Sequence, residues 1–374
     1  MKLNCDILRL IMQCLSRPEL LHVMHTCKVV YELGIPLLLR TVKYKDSDEA
    51  CNDFYSHFLL TDSTRFTHVT HLECHVIGLS TSLHSDFIRL SARIEDLKIR
   101  IGCSSSITSD HVKQIACLRH LRHLRLVGPL PVVEILQSLT VPLTSLSIDT
   151  LSIPLFDCRA AGSLCDLISS IRQLSGSLEE FSFNSRRRGD DQVVLPAGYP
   201  FPAVRKVEWS TWHPIDIGAM ASTFPNLESL SILFYGVGDD YPWHHRAPSP
   251  LSSAQMAVIR EQSRGVRQWD ASHCFQYLKG NVNTLWTLGI RCEVKLLDIC
   301  VTNQNISEAY IRELLANTRP VHLRLSLASN SLGAFDNVPS HALAYDTVQD
   351  LELKFSVLES QLEMMTAKLV RSFG

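Results

Sequence analysis

The stretch "LRHLRL" at residues 121–126 places aliphatic residues at its first, fourth and sixth positions. Alternate side chains of a strand point to opposite faces, so Leu124 faces one side while His123 and Arg125 face the other. The stretch therefore predicts a short strand with one buried face and one polar face. The same pattern recurs from residue 66 onward, and its recurrence decides the expected fold.

Ten stretches follow this pattern, one of them less strictly. Their central residues are Leu72, Leu97, Leu124, Leu146, Phe181, Val207, Leu230, Leu297, Leu323 and Leu351. Most steps between them are 22 to 28 residues, and a step of 67 leaves room for one more repeat, with "VRQWDA" at 266–271 as its candidate. A period of 20–30 residues is typical of leucine-rich repeats, whose stacked strand-and-return units share one core.

Several segments between these stretches have helical spacing. They are "SDHVKQIACL" (109–118), "PVVEILQSL" (131–139), "LWTLGI" (285–290) and "ISEAYIRELLANT" (306–318). Residues 46–374 are therefore expected to form a leucine-rich-repeat-like α/β solenoid with a parallel sheet on its concave face. Loop insertions are expected near 184–200 and 235–255, where the period breaks.

Residues 1–45 lack the repeat pattern, and their apolar residues have the spacing of three short helices. Asn4 can cap the first, and Ser16 with Glu19 forms a capping box for the second. A third helical segment should end at Gly34. Three helices of this size cannot close a good core alone, so they pack either on the rest of the chain or on a partner.

Residues 3–42 resemble an F-box. The shared features are a first leucine, an acidic residue before two aliphatics, a leucine closing the first helix, an acidic-Leu-Leu step, and a cysteine before a basic residue. Here they are Leu3, Asp6-Ile7-Leu8, Leu15, Glu19-Leu20-Leu21 and Cys27-Lys28. The family usually has proline directly after the first leucine, whereas this chain has Asn4.

The resemblance implies the substrate-recognition subunit of a cullin-type (SCF) ubiquitin ligase. The helices would bind a Skp-type adaptor, and through it a cullin, while the repeats hold a protein substrate for ubiquitin-dependent degradation. The adaptor-binding candidates carried over from the motif are Leu3, Ile7, Leu8, Ile11, Leu15, Pro18, Leu20 and Leu21.

The polar face of the predicted sheet is the expected substrate-binding surface. Charged residues flank the inward leucines there, and Trp and Arg are common in binding hot spots. The candidates are His71, Glu73, Lys98, Arg100, His123, Arg125, Lys206, Glu208, Trp209, Trp212 and Arg324.

Two alternatives stay open. One is a non-catalytic leucine-rich-repeat scaffold with no ligase role, in which the three helices only seal the first repeat. A weaker one is an enzyme that uses 235–255 as a lid. No nucleophile elbow, phosphate-binding loop, dinucleotide fingerprint or zinc-protease motif is present, so we expect no catalytic residue, cofactor or metal.

Composition narrows the expected partners. The net charge of −2 argues against nucleic acid, which favours a basic excess. The 12 cysteines have no regular spacing and several lie in apolar runs, as reduced thiols do. No apolar stretch approaches the roughly 18 residues of a membrane helix, so we expect a cytoplasmic or nuclear protein without membrane contact.

Overall fold

The computed structural model describes residues 4–45, 58–59, 61–76, 88, 91–102, 109–128, 131–150, 164–185, 195, 198–212, 214–234, 251–265, 269, 273–301, 308–328 and 348–356. The chain divides into two compact units, Met1–Ser163 and Leu164–Gly374. Both units consist of parallel strands and helices, so the chain belongs to the α/β class.

The first unit begins with three helices, α1 (Cys5–Gln13), α2 (Arg17–Met24) and α3 (Lys28–Leu39). They enclose a small core of Met12, Leu20, Met24, Val30 and Leu38. Both predicted caps are confirmed. The Asn4 side chain accepts a hydrogen bond from the Asp6 N–H at 3.0 Å, and the Ser16 N–H donates to the Glu19 carboxylate at 2.8 Å.

The predicted end of the third helix is wrong, because α3 continues through Gly34 and Pro36. Gly34 serves a close approach of two helices. A Cβ there would overlap Cγ of Met24, so glycine lets α3 pack against α2. The extra turn buries Leu38 and Leu39, and this burial outweighs the low helix propensity of Gly and Pro.

Five parallel strands follow among the described residues of the first unit. They are β1 (Thr41–Lys45), β2 (His71–Val76), β3 (Asp96–Ile101), β4 (His123–Val127) and β5 (Ser145–Asp149), each paired with the next in sequence order. Helices α4 (Ser109–Ala116) and α5 (Val132–Ser138) precede β4 and β5. The sequence pattern predicted four of these strands and missed β1.

The register of this sheet follows the repeat. Val42, Leu72, Leu97, Leu124 and Leu146 lie opposite one another and form one buried row. The carbonyl that precedes a strand accepts two N–H groups from the next repeat. One example is the Thr70 carbonyl, which accepts from Glu95 and Asp96. A fixed chain position is thus hydrogen-bonded in the same way in successive repeats.

The described part of the second unit has seven parallel strands, again paired in sequence order. The strands are β6 (Glu180–Asn184), β7 (Lys206–Thr211), β8 (Ser229–Phe234), β9 (Cys274–Asn281), β10 (Glu293–Val301), β11 (His322–Ala328) and β12 (Asp350–Ser356). The helices are α6 (Leu164–Ser170), α7 (Ile217–Thr223), α8 (Ser253–Gly265), α9 (Val282–Leu288) and α10 (Glu308–Thr318). The central row is Phe181, Val207, Leu230, Leu278, Leu297, Leu323 and Leu351.

The extra repeat is present, and its strand lies after the candidate stretch 266–271, of which the structure describes only Trp269. The strand is β9, in which Leu278 lies between Leu230 and Leu297. The pattern missed it because Gly280 stands where an aliphatic residue was sought. Trp269 lies outside the strands and is buried, and its indole N–H donates to the Phe224 carbonyl at 3.1 Å.

All four predicted helical segments are confirmed as α4, α5, α9 and α10. The expected insertions fall largely outside the described residues, which exclude 186–194, 196–197 and 235–250. Residues 253–255 of the second predicted insertion belong instead to α8.

A buried cluster joins three successive helices of the second unit. The Arg260 guanidinium of α8 lies over the Trp286 ring of α9, 4.4 Å from its centroid. The Tyr310 ring of α10 also stacks on Trp286, with ring centroids 3.8 Å apart. Glu313 of α10 accepts from Arg260 at 2.5 Å and from the Trp286 indole at 2.8 Å. The buried charge of Arg260 is therefore paired with a counter-charge that is partly exposed.

Candidate functional site

Helix α1 is apolar on two faces. Leu8 and Met12, four residues apart, pack into the small core of the three helices. On another face, Ile7, Leu10 and Ile11 are 52%, 62% and 51% exposed. Residues spaced by three and four are neighbours on a helix surface, so these three side chains form one exposed apolar stripe. We call Ile7, Leu10 and Ile11 the α1 stripe.

The structure separates the predicted adaptor-binding residues into four groups, the last of which is Leu20 alone. Ile7, Ile11, Pro18 and Leu21 are exposed, Leu8 and Leu15 are half-buried against the core, and Leu3 lies outside the described residues. The prediction for Leu20 is wrong, because its side chain is 5% exposed and fills the core.

Two exposed apolar residues of the helices were missed. Leu10 and Val29 are 62% and 52% exposed. The signal for Leu10 was present in the sequence, since it lies three residues after Ile7 and shares its face.

The exposed face of the first sheet carries most of the predicted substrate-binding residues. His71, Glu73, Lys98, Arg100, His123 and Arg125 all alternate with buried residues of β2, β3 and β4. Glu73 lies between two lysines. Nζ of Lys43 is 3.5 Å from its carboxylate, and Lys98 forms a closer ion pair on the other side. The hydrogen bond from Lys98 and the charges of both lysines outweigh partial burial and lower the pKa of Glu73.

This arrangement predicts a pH effect. Because the folded-state pKa of Glu73 is below its unfolded value near 4.5, its contribution is present above that value and is lost as pH falls through the folded pKa. Glu73→Gln should lower the free energy of unfolding by about 1 kcal/mol at neutral pH and by less at pH 3, which lies below the unfolded-state pKa. Urea unfolding of both proteins at the two pH values measures this. An equal difference at both would contradict the ion-pair account.

The polar face of the second sheet carries Lys206, Glu208 and Arg324. Nζ of Lys206 lies 3.9 Å from Glu180 and 3.5 Å from Glu208. The Arg324 guanidinium donates to Glu352 at 2.7 Å. These three predicted residues therefore sit in surface ion pairs.

A buried carboxylate on the same face was missed. Asp298 is 3% exposed although it occupies a polar-face position of β10. It accepts hydrogen bonds from the Tyr277 hydroxyl at 3.0 Å and the Ser326 hydroxyl at 2.8 Å. Burial, followed by the neighbouring Asp298 charge, raises the pKa of Tyr277. Hydroxyl groups from β9 and β11 thus satisfy the hydrogen-bond acceptors of the Asp298 carboxylate, which gives Asp298 a structural role.

The substrate-binding prediction for Trp209 and Trp212 is wrong. Both are buried, at 0% and 6% exposed. Trp209 lies two residues after the central Val207, so strand alternation places the Val207 and Trp209 side chains on the same inner face. The ring centroid of Trp209 lies 5.0 Å from that of Phe183 and 6.1 Å from that of Phe181.

The histidine-rich segment at 68–75 follows strand alternation. Cys74 is buried, and burial raises the pKa of its thiol to about 12. His71 and His75 lie on the opposite face. In the described ranges no group of three or more His, Cys, Asp or Glu side chains is placed to hold a metal ion. No helix in those ranges is long and apolar enough to cross a membrane.

No protein-family model matches the chain, and no curated protein matches it. The features that bear on function are therefore the α1 stripe and the charged strand faces of the two units.

Proposed function

We propose that this chain is a substrate-recognition subunit of a cullin-type ubiquitin ligase. Its N-terminal helices would bind a Skp-type adaptor, and its repeats would bind a protein substrate. The chain would contribute no chemical step. It would act by proximity, raising the local concentration of the substrate near the enzyme that transfers ubiquitin.

The observation that carries the proposal is the exposure of the helices. Seven large hydrophobic residues are exposed in the described part of the chain, and five of them lie in α1, α2 and α3. They are Ile7, Leu10, Ile11, Leu21 and Val29. A helix that is apolar on opposite faces is normally buried on both, and a concentrated exposed apolar surface marks an interaction site. Helices that only sealed the first repeat would not need this second apolar face.

Asn4 replaces the proline usual in the resembled family, yet it preserves the start of α1. Its side chain caps the helix through the Asp6 N–H. The capping box of Ser16 and Glu19 fixes the start of α2. A capped helix presents its side chains with less loss of conformational entropy on binding, so the substitution is compatible with adaptor binding.

The decisive experiment is co-purification of the full chain with a Skp-type adaptor. We expect a stable 1:1 complex, because the α1 stripe offers adjacent apolar anchors. Ile7→Asp/Ile11→Asp should abolish it, since two charges would be desolvated at the interface. Ile11→Asp alone should weaken it by about tenfold or more. Leu20 is unsuitable for such a test because its substitution would disrupt the core.

The matched control is Val258→Asp on α8 of the second unit, which removes a valine that is 58% exposed. It should leave adaptor binding unchanged. Equal loss with Val258→Asp would show that the effect is not specific to the helices. Failure of the folded wild-type chain to bind would reject the ligase role and leave a repeat scaffold that binds proteins.

A further inference from the structure

The sheet face of the first unit concentrates positive charge. At its polar positions, β1 to β4 carry Lys43, Lys45, Lys98, Arg100 and Arg125. The acidic residues at the polar positions of this face are Glu73 on β2, Asp96 on β3 and Asp149 on β5. The chain as a whole is slightly acidic, with a net charge of −2, so this excess is local.

Basic residues lie directly opposite one another on neighbouring strands. Lys98 of β3 is paired in register with Arg125 of β4, and His75 of β2 is paired with Arg100 of β3. Neighbouring strands are about 4.8 Å apart, and like charges opposite each other destabilise a sheet. Burial and the charge of Arg100 lower the pKa of His75, in agreement with a positive local potential.

Part of this charge is uncompensated. Glu73 forms an ion pair with Lys98 and so neutralises part of the positive charge of this face. No described carboxylate forms an ion pair with Arg100 or Arg125, and both side chains are exposed. The two arginines are therefore available to an anionic partner. Arginine binds carboxylates through two parallel hydrogen bonds, which gives it geometric selectivity.

We propose that this face binds an extended acidic peptide segment with carboxylates two residues apart. Lys98 and Arg100 are separated by one residue on β3, a span of about 6.6 Å, which is also the spacing of same-side residues in an extended peptide. One carboxylate would meet Arg125 beside Lys98, and the other would meet Arg100 beside His75. The face already holds the Glu73 carboxylate between two lysines in this manner.

A protein segment fits this face better than nucleic acid does. Binding to a phosphate backbone relies on a run of cations that neutralises several phosphates. Here Glu73 and Asp96 interrupt the cations and would repel successive phosphates. The inference rests on the proposed function in one respect, namely that the segment belongs to a substrate. It deepens that function by naming the substrate's chemistry.

The test is fluorescence anisotropy with the full-length protein and a labelled synthetic peptide. The peptide has twelve residues of serine, threonine and valine, with glutamate at its sixth and eighth positions. We expect it to bind and to weaken with added salt. Peptides with glutamine at both positions, or with glutamates at the sixth and seventh, should bind at least tenfold more weakly. In an extended chain adjacent side chains point in opposite directions, so the last peptide can place only one carboxylate on the face.

The variant Arg100→Gln/Arg125→Gln should weaken binding by at least tenfold, because each arginine donates charge-assisted hydrogen bonds. Its thermal midpoint should equal or exceed that of the wild type, because a like-charge contact is relieved. Lys113→Gln/Arg119→Gln is the matched control, since it removes two exposed charges around α4 in the same unit. It should change binding by less than twofold.

Several results would overturn the proposal. They are absence of binding, equal loss in both double variants, equal binding of the two glutamate spacings, or tighter binding of a twelve-nucleotide single strand. The assay contains no adaptor, so its failure is separable from failure of the proposed function. If the chain binds the adaptor but not the peptide, only the proposal of an acidic substrate segment is rejected. If the chain binds the peptide but not the adaptor, the ligase role is rejected and the face belongs to a repeat scaffold that binds acidic segments.

Discussion

Trp209→Ala is expected to lower the free energy of unfolding by about 3–5 kcal/mol. Trp209 is fully buried, and it is the largest of the side chains buried to this degree in the described residues. It packs between Phe181 and Phe183 on the inner face of the second sheet. Alanine would remove these aromatic contacts and leave a cavity that neighbouring strands, fixed by their hydrogen bonds, cannot close.

Trp209→Phe separates the effect of side-chain volume on stability from the effect of the buried indole N–H. Among the described residues the Trp209 indole N–H has no hydrogen-bond acceptor, so phenylalanine would remove a buried unpaired donor together with part of the ring. We expect this variant to lose less than half of what alanine loses. The exposed neighbour Glu208→Ala should change stability by about 0.5 kcal/mol or less. Urea unfolding measures all three, and equal losses for alanine and phenylalanine would contradict the packing argument.

Gly128→Ala is expected to lower the free energy of unfolding by about 2–4 kcal/mol. Gly128 follows β4 with a φ of +107°, a region that L side chains rarely adopt. A Cβ at this position would also meet the carbonyl oxygen of Ile101 at the end of β3. Backbone atoms held in a sheet cannot move aside as a flexible side chain can, so strain and overlap add.

Gly198→Ala is the matched control for this prediction. Gly198 has a similar φ of +92°, but among the described residues nothing lies within 4 Å of the Cβ that alanine would add. Its substitution should cost about 1 kcal/mol, from backbone strain alone. Denaturant unfolding measures the free energy of unfolding of both variants. The difference between their losses gives the cost of the overlap with Ile101. Equal costs would show that the backbone near Gly128 relaxes.

Much of the fold could be predicted because the repeat is encoded locally. Alternation around each central leucine sets which side chains face the core, and a one-residue slip would reverse every face. The buried row Leu72, Leu97, Leu124 and Leu146 therefore follows from spacing alone. The same alternation assigned Trp209 to the inner face, and the error in the predicted site came from treating it by residue type instead.

The candidate sites could be predicted only in part. Helical spacing identified Ile7 and Ile11, but it could not separate them from Leu20, because all three lie in short apolar helices. Cross-strand pairs such as Lys98 with Arg125 require the register of two distant segments. Asp298 was missed because its burial depends on Tyr277 and Ser326, which belong to neighbouring strands.

The sequence by itself determined the capped helices, most of the strand positions and the inward rows, because each depends on residues within a few positions of one another. Tertiary structure alone decided the length of α3, the place of β9 and the exposure of the α1 stripe. Helix α3 passes Gly34 and Pro36 because Leu38 and Leu39 gain burial there. Strand β9 is placed by its pairing with β8 and β10. These outcomes depend on contacts between distant segments, whose energies exceed the local preferences that a sequence pattern records.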